Sequence, residues 1–154
     1  LVYGTVLAGL GAIAYWLPKW SGRLLPDKQL LPLAGLGLIA TVLASLPLYI
    51  AGFADQPANA FDFDDSGPSG LWNVAATAGH ALMVLTVLAF AGLVAAASRG
   101  TASDVGNDPW EAHTLEWLTT SPAPAGNFAE TPTVMSAEPV YDLRARPADS
   151  EGGA

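Results

Sequence analysis

Three stretches without a single Asp, Glu, Lys or Arg dominate the first hundred residues: Leu1–Leu17, Leu30–Phe53 and Leu71–Ala97. Wound into helices, apolar runs of about 17–25 residues span a bilayer core, and in that solvent only helices or closed barrels satisfy every backbone N–H and C=O. The runs predict an all-α integral membrane protein with three transmembrane helices. Composition agrees, since 13% of the residues are charged, about half the share usual in soluble domains. The first run has no initiating Met and no basic segment before its apolar core, so it reads as a span of a longer chain and not as a signal peptide. Pro18 closes it, and "PKWSGRLLPDKQ" reads as a polar turn. Pro32 suits a helix start, while Pro47 lies inside the second run and predicts a kink.

Basic residues give the orientation. Lys19, Arg23 and Lys28 lie between the first two runs, Arg99 follows the third, and Arg144 and Arg146 lie in the tail. With three spans the first loop and the tail share a side, so every Lys and Arg falls there and none falls in the aspartate-bearing loop Asp55–Asp65. The positive-inside rule puts that side in the cytoplasm, whatever the acid content of the tail. Small residues recur within the spans, at Gly4, Ala8 and Ala12, at Gly35 and Gly37, and at Ala75 and Gly79; such positions let membrane helices approach closely.

Few residues suggest chemistry. Without cysteine there is no disulfide or thiolate metal site. His80, inside the third run, is an intramembrane ionisable group and hence a functional candidate. No second histidine lies in any run, so an interhelical hydrogen bond from a neutral imidazole is expected there, not a cofactor bond. His113 in the tail has no histidine near it. Asp62, Asp64 and Asp65 imitate the opening of a calcium loop, with Gly67 at its sixth position, but Asn73 stands where the twelfth-position Glu is needed. A solvated acidic turn is the expectation. "GLGAIA" lies inside a span without strand context and is no nucleotide fingerprint. Neither a nucleophile–base pair nor a basic nucleic-acid stripe is present.

After Ser98 the chain turns polar and rich in Pro and Ala, yet "NDPWEAHTLEWLTTSP", residues 107–122, holds two of the five tryptophans. A solvated tail gains nothing from Trp110 and Trp117. The pattern predicts residues 98–130 docked on the cytoplasmic face. Asp108–Pro109 reads as a cap and first turn, so "PWEAHTLEWL" is expected to be a short surface helix. Residues 131–154 carry scattered apolar side chains among Pro, Ala and acids and are expected to stay disordered.

Four segments, in order, resemble the C-terminal end of subunit I of the heme–copper terminal oxidases. "YWLPKWSGRLL" (Tyr15–Leu25) is similar to the stretch that closes the family's tenth helix. "LPLYIAGFADQP" (Leu46–Pro57) is similar to the end of the eleventh, and "LWN" (Leu71–Asn73) to the start of the twelfth. "NDPWEAHTLEWLTTSPAPAGNF" (Asn107–Phe128) resembles the tail signature Pro–Trp–x–x–x–Thr–Leu–Glu–Trp–x–x–Ser–Pro. The resemblance covers about residues 1–130 and implies the last three helices of a twelve-helix bundle.

It also implies a catalytic subunit that reduces dioxygen to water with electrons from cytochrome c or a quinol, pumps protons, and holds two hemes and a copper. By this register the heme-ligating His–x–His pair lies just upstream of Leu1. Residues 1–154 are therefore expected to supply no catalytic, cofactor-binding or metal-binding residue. The implied partners are the upstream helices, other oxidase subunits, the electron donor and lipid, with no nucleic acid, in a prokaryotic cell membrane. Two departures mark a divergent member. Where the family places two arginines against the heme propionates, Gln56–Pro57 is followed by Ala58 and Asn59; and Leu48 and Tyr49 occupy the region of a family histidine. The rival reading is a membrane scaffold or assembly protein derived from this subunit, without catalysis.

Overall fold

The computed structural model describes residues 1–57, 68–99, 105–128 and 130–145. Among them the chain is helical, with α1 Val2–Ser21, α2 Asp27–Phe53, α3 Pro68–Arg99 and α4 Pro139–Ala145, and a short 3-10 turn at Leu115–Leu118. By length and composition α2 and α3 are apolar enough to cross a membrane. α1 does not meet the same measure, because its last turns carry Pro18, Lys19 and Ser21. The helices outlast the apolar runs: α1 continues past Leu17 to Ser21, α2 begins at Asp27 ahead of Leu30, and α3 covers Pro68–Arg99. The expected polar turn shrinks accordingly. Pro18 sits inside α1 and costs it one backbone bond. The helix ends where the Gly22 N–H bonds the Pro18 carbonyl at 2.8 Å and Gly22 turns to φ +64°, the left-handed exit glycine provides. α2 runs unbroken through Pro32 and Pro47.

The chain divides into two compact units: Leu1–Ile13 with Leu25–Ala96, and Ala14–Leu24 with Ala97–Ala154. In the first unit, helices meet at small residues. A Cβ on Gly79 would lie 2.2 Å from the Ala44 amide nitrogen and 2.6 Å from the Leu43 carbonyl carbon, so backbone of α2 passes directly over this point of α3. Ala40, Ala44, Ala51, Ala76, Met83 and Phe90 form the buried interior. Gly37 faces Leu7 of α1 in the same way, with a flexible side chain as the near neighbour. By contrast Gly4 and Gly35, also singled out by spacing, meet nothing within 4 Å. The outward faces of α2 and α3 remain apolar, with Leu38, Ile39, Val42, Val84, Leu85 and Leu88 each at least half exposed. At one end, Gln56 and Asn73 exchange two side-chain amide bonds of 3.2 and 3.0 Å, tying the segment after α2 to the first turns of α3.

Candidate functional site: the lysine clamp of the tail

In the second unit the tail folds against the end of α1. Lys19, 6% exposed, points its ammonium at acceptors from two separate tail strands. Its Nζ donates to the carbonyl of Thr119 at 2.6 Å, to the Thr119 hydroxyl at 3.1 Å, and to the carbonyls of Asn107 at 3.2 Å and Thr120 at 3.3 Å. It also lies 5.1 Å from the centre of the Trp117 ring, a cation–π distance. Burial lowers the Lys19 pKa below the ordinary lysine value, and the carboxylates of Asp108 and Glu116 partly offset that. Ser121 donates to the same Asn107 carbonyl at 2.9 Å, and the Ala123 N–H bonds the Lys19 carbonyl at 3.2 Å. The tail therefore acts as a belt of carbonyls around one cation.

Tyr15 holds both tail tryptophans. Its backbone carbonyl accepts from Trp110 Nε1 at 3.0 Å, and its phenol oxygen accepts from Trp117 Nε1 at 2.9 Å. Trp110 stacks on Tyr15 with centroids 5.8 Å apart, and Trp117 stacks on Trp16 at the same separation. Trp117 is 1% exposed. Tyr15, Trp16 and Lys19 are thus the partners of the two tail tryptophans. Sequence reasoning counted Lys19 only as a topological charge and passed over Tyr15; the signal available was their spacing beside Trp16 on one helical turn.

The expected surface helix "PWEAHTLEWL" is corrected. Asp108 Oδ1 does accept from the Trp110 and Ala112 amides, at 3.3 and 3.1 Å, but it caps a turn. Glu111 at φ +51° breaks the helical path, and only Leu115–Leu118 coil, as 3-10. Beyond Thr131 the chain forms α4. Val140 is buried and its N–H bonds the His113 carbonyl at 3.1 Å, while Arg144 pairs with Asp108. Residues 146–154 lie outside the described residues.

His113 stands 3.7 Å through Nδ1 from a Glu138 carboxylate oxygen, with its ring 5.1 Å from Tyr141. Among the described residues the hydrogen bond of His80 lies within its own helix, Nδ1 being 2.5 Å from the Ala76 carbonyl, and its ring meets the edge of Tyr3 of α1 at 5.5 Å. The two histidines fall in different units. No group of three or more His, Cys, Asp or Glu is placed to hold a metal among the described residues. Ala58, Asn59, Asp62, Asp64 and Asp65 lie outside the described residues.

No protein-family model matches the chain. Over 92% of its length it is 31% identical to cytochrome c oxidase subunit 1 of Alkalihalophilus pseudofirmus. Over 94% it is 27% identical to a probable cytochrome c oxidase subunit 1 of Bradyrhizobium diazoefficiens and 30% identical to cytochrome bo(3) ubiquinol oxidase subunit 1 of Buchnera aphidicola. The chain is homologous to subunit 1 of the heme–copper terminal oxidases. It spans 22–23% of the length of these relatives. The clamp residues Lys19, Trp110 and Trp117 fall within two of the segments whose resemblance to oxidase subunit I was read from sequence.

Proposed function

We propose that the chain is the C-terminal part of the catalytic membrane subunit of a terminal oxidase. In this reading it contributes three spans, α1 to α3, to a twelve-helix bundle, and its tail closes the cytoplasmic end. The whole subunit reduces dioxygen to water with electrons from cytochrome c and moves protons, and the hemes and copper are held by residues upstream of Leu1. The observation that carries the reading is similarity to oxidase subunits over 92–94% of the chain. The docked tail supports it, because an ordered belt of residues 105–128 around Lys19 is a costly thing to keep on a chain that only needs to sit in lipid. Residues 1–154 then act structurally: α1 to α3 complete the bundle wall, and the tail excludes water from its end.

The test is the full-length gene, expressed in a host lacking its own terminal oxidases. Membranes should show heme absorbance and consume oxygen with reduced cytochrome c. Heme-free membranes would favour a scaffold; oxygen uptake with ubiquinol but not cytochrome c would reassign the donor. Protease added from the cytoplasmic side should cut at Arg144 or Arg146, and cutting only from the opposite side would invert the topology.

A further inference from the structure

A cleft of about 480 Å³ opens in the second unit, between the last turns of α1 and residues 115–128. Its size falls among ligand sites, which run from about 300 to 1,000 Å³. Trp16, Trp20 and Phe128 supply aromatic walls, and Lys19, Glu116 and Asn127 line it as well. Trp16 stacks one face on Trp117, whereas Trp20 is 63% exposed.

The tryptophans of this unit divide by what their N–H groups do. Trp110 and Trp117 both donate to Tyr15. The indole N–H of Trp16 and that of Trp20 have no acceptor among the described residues, and the side-chain amide of Asn127 has no partner there. An indole nitrogen only donates. Glu116 is the opposite case: one carboxylate oxygen accepts from the Thr114 hydroxyl at 2.7 Å, and the other accepts nothing among the described residues. Lys19 adds positive charge to the wall, but its ammonium is already taken up by the acceptors of the tail. The cleft thus sets donors that lack an acceptor beside a carboxylate that lacks a donor, within an aromatic frame.

We propose that this cleft binds the headgroup of an ethanolamine phospholipid, with its ammonium on Glu116 and its phosphate on the indole N–H groups of Trp16 and Trp20. The proposal rests on the reading of α1 as a span. The first apolar run ends at Leu17, and Lys19 and Arg23 follow, so by that reading the cleft lies at the level of the lipid headgroups. Tryptophan suits that level, having an apolar ring and a polar N–H. Both charges of the headgroup find partners, since charged groups make the stronger hydrogen bonds and aromatic faces attract an ammonium. A choline headgroup has no N–H to give the carboxylate. A glycerol headgroup has no cation and would set its phosphate beside Glu116 uncompensated.

The oxidase complex carrying full-length subunit 1 is stripped of lipid in detergent. It is then titrated with ethanolamine, choline and glycerol phospholipids of identical acyl chains, and binding is read by native mass spectrometry. One ethanolamine lipid should bind about tenfold more tightly than either of the others, the effect of one hydrogen bond between charged groups. Glu116→Gln should erase that preference. Trp20→Phe keeps an aromatic ring, removes one N–H, and should weaken binding by roughly threefold or more. Protease protection of the Trp110–Trp117 segment is measured alongside, and Trp20→Phe carries the test if Glu116→Gln loosens the tail. Equal affinity for the three lipids, a preference that survives Glu116→Gln, or binding indifferent to Trp20→Phe overturns the proposal. A heme-free subunit that keeps the ethanolamine preference overturns the oxidase reading and supports this site.

Discussion

The ammonium of Lys19 lies 2.6 Å from the carbonyl oxygen of Thr119, one hundred residues away in sequence. That bond and its three companions are made to groups that only accept or, in a hydroxyl, can accept. The site is built for a donor with several protons.

Lys19→Met keeps the stem and removes the donor. It leaves the carbonyls of Thr119 and Thr120 short of a partner and that of Asn107 with Ser121 alone, at a cost of about 2–3 kcal/mol to tail docking. In the full-length subunit, protease should then cut between Trp110 and Trp117, while the native protein should resist cutting there. An uncut Lys19→Met protein would mean that packing alone holds the tail.

The lowered Lys19 pKa gives docking a pH dependence of definite sign. A lysine whose pKa is lower docked than free binds its proton less tightly in the docked state, so docking strengthens as pH rises. The gain begins as pH passes the lowered docked value and is complete above the ordinary value of 10.5. The thermal midpoint of tail release should rise across that alkaline window in native protein, relative to Lys19→Met. A relative fall would show that Asp108 and Glu116 outweigh burial.

The tryptophans should differ. Trp117 is fully buried and Trp110 only partly, so Trp117→Ala should cost about 3–5 kcal/mol and Trp110→Ala clearly less. Comparing the two variants by the same protease protection checks the order.

Gly79→Ala places a methyl group against the Ala44 backbone, which cannot rotate away as a side chain would. The expected loss is about 1–3 kcal/mol, read as a lower unfolding temperature of the full subunit in detergent. Gly35→Ala, with open space around it, should leave that temperature unchanged or slightly raised.

What could be read beforehand follows the range of the interactions. Apolar runs announce helices because bilayer thickness acts on each segment alone, so α2 and α3 emerge from composition. The same logic fixed on Trp110 and Trp117 as anchors. It failed where a distant residue decides: the cap pattern at Asp108–Pro109 promised a helix, but the bonds that hold this stretch go to Tyr15 and Lys19, and Glu111 turns left-handed on the way. The contact of Val140 could not be read from its own segment, because its bonding partner, the His113 carbonyl, is supplied from elsewhere in the chain. Lys19 was misjudged for a related reason, since lysine burial is rare and depends on acceptors supplied from elsewhere. Spacing alone also failed to separate Gly79, which touches backbone, from Gly35, which touches nothing.

Tyr15 brings two indoles and its own phenol into one cluster, with Trp16 beside it and neighbouring ring centres 5.2–5.8 Å apart. Rings that close couple their electronic transitions and, held in a fixed chiral arrangement, give circular dichroism in the near ultraviolet that disappears when the packing loosens. The cluster thus gives the tail an intrinsic optical signature. Attachment and release can be followed in unlabelled protein by a band that Trp117→Ala should abolish.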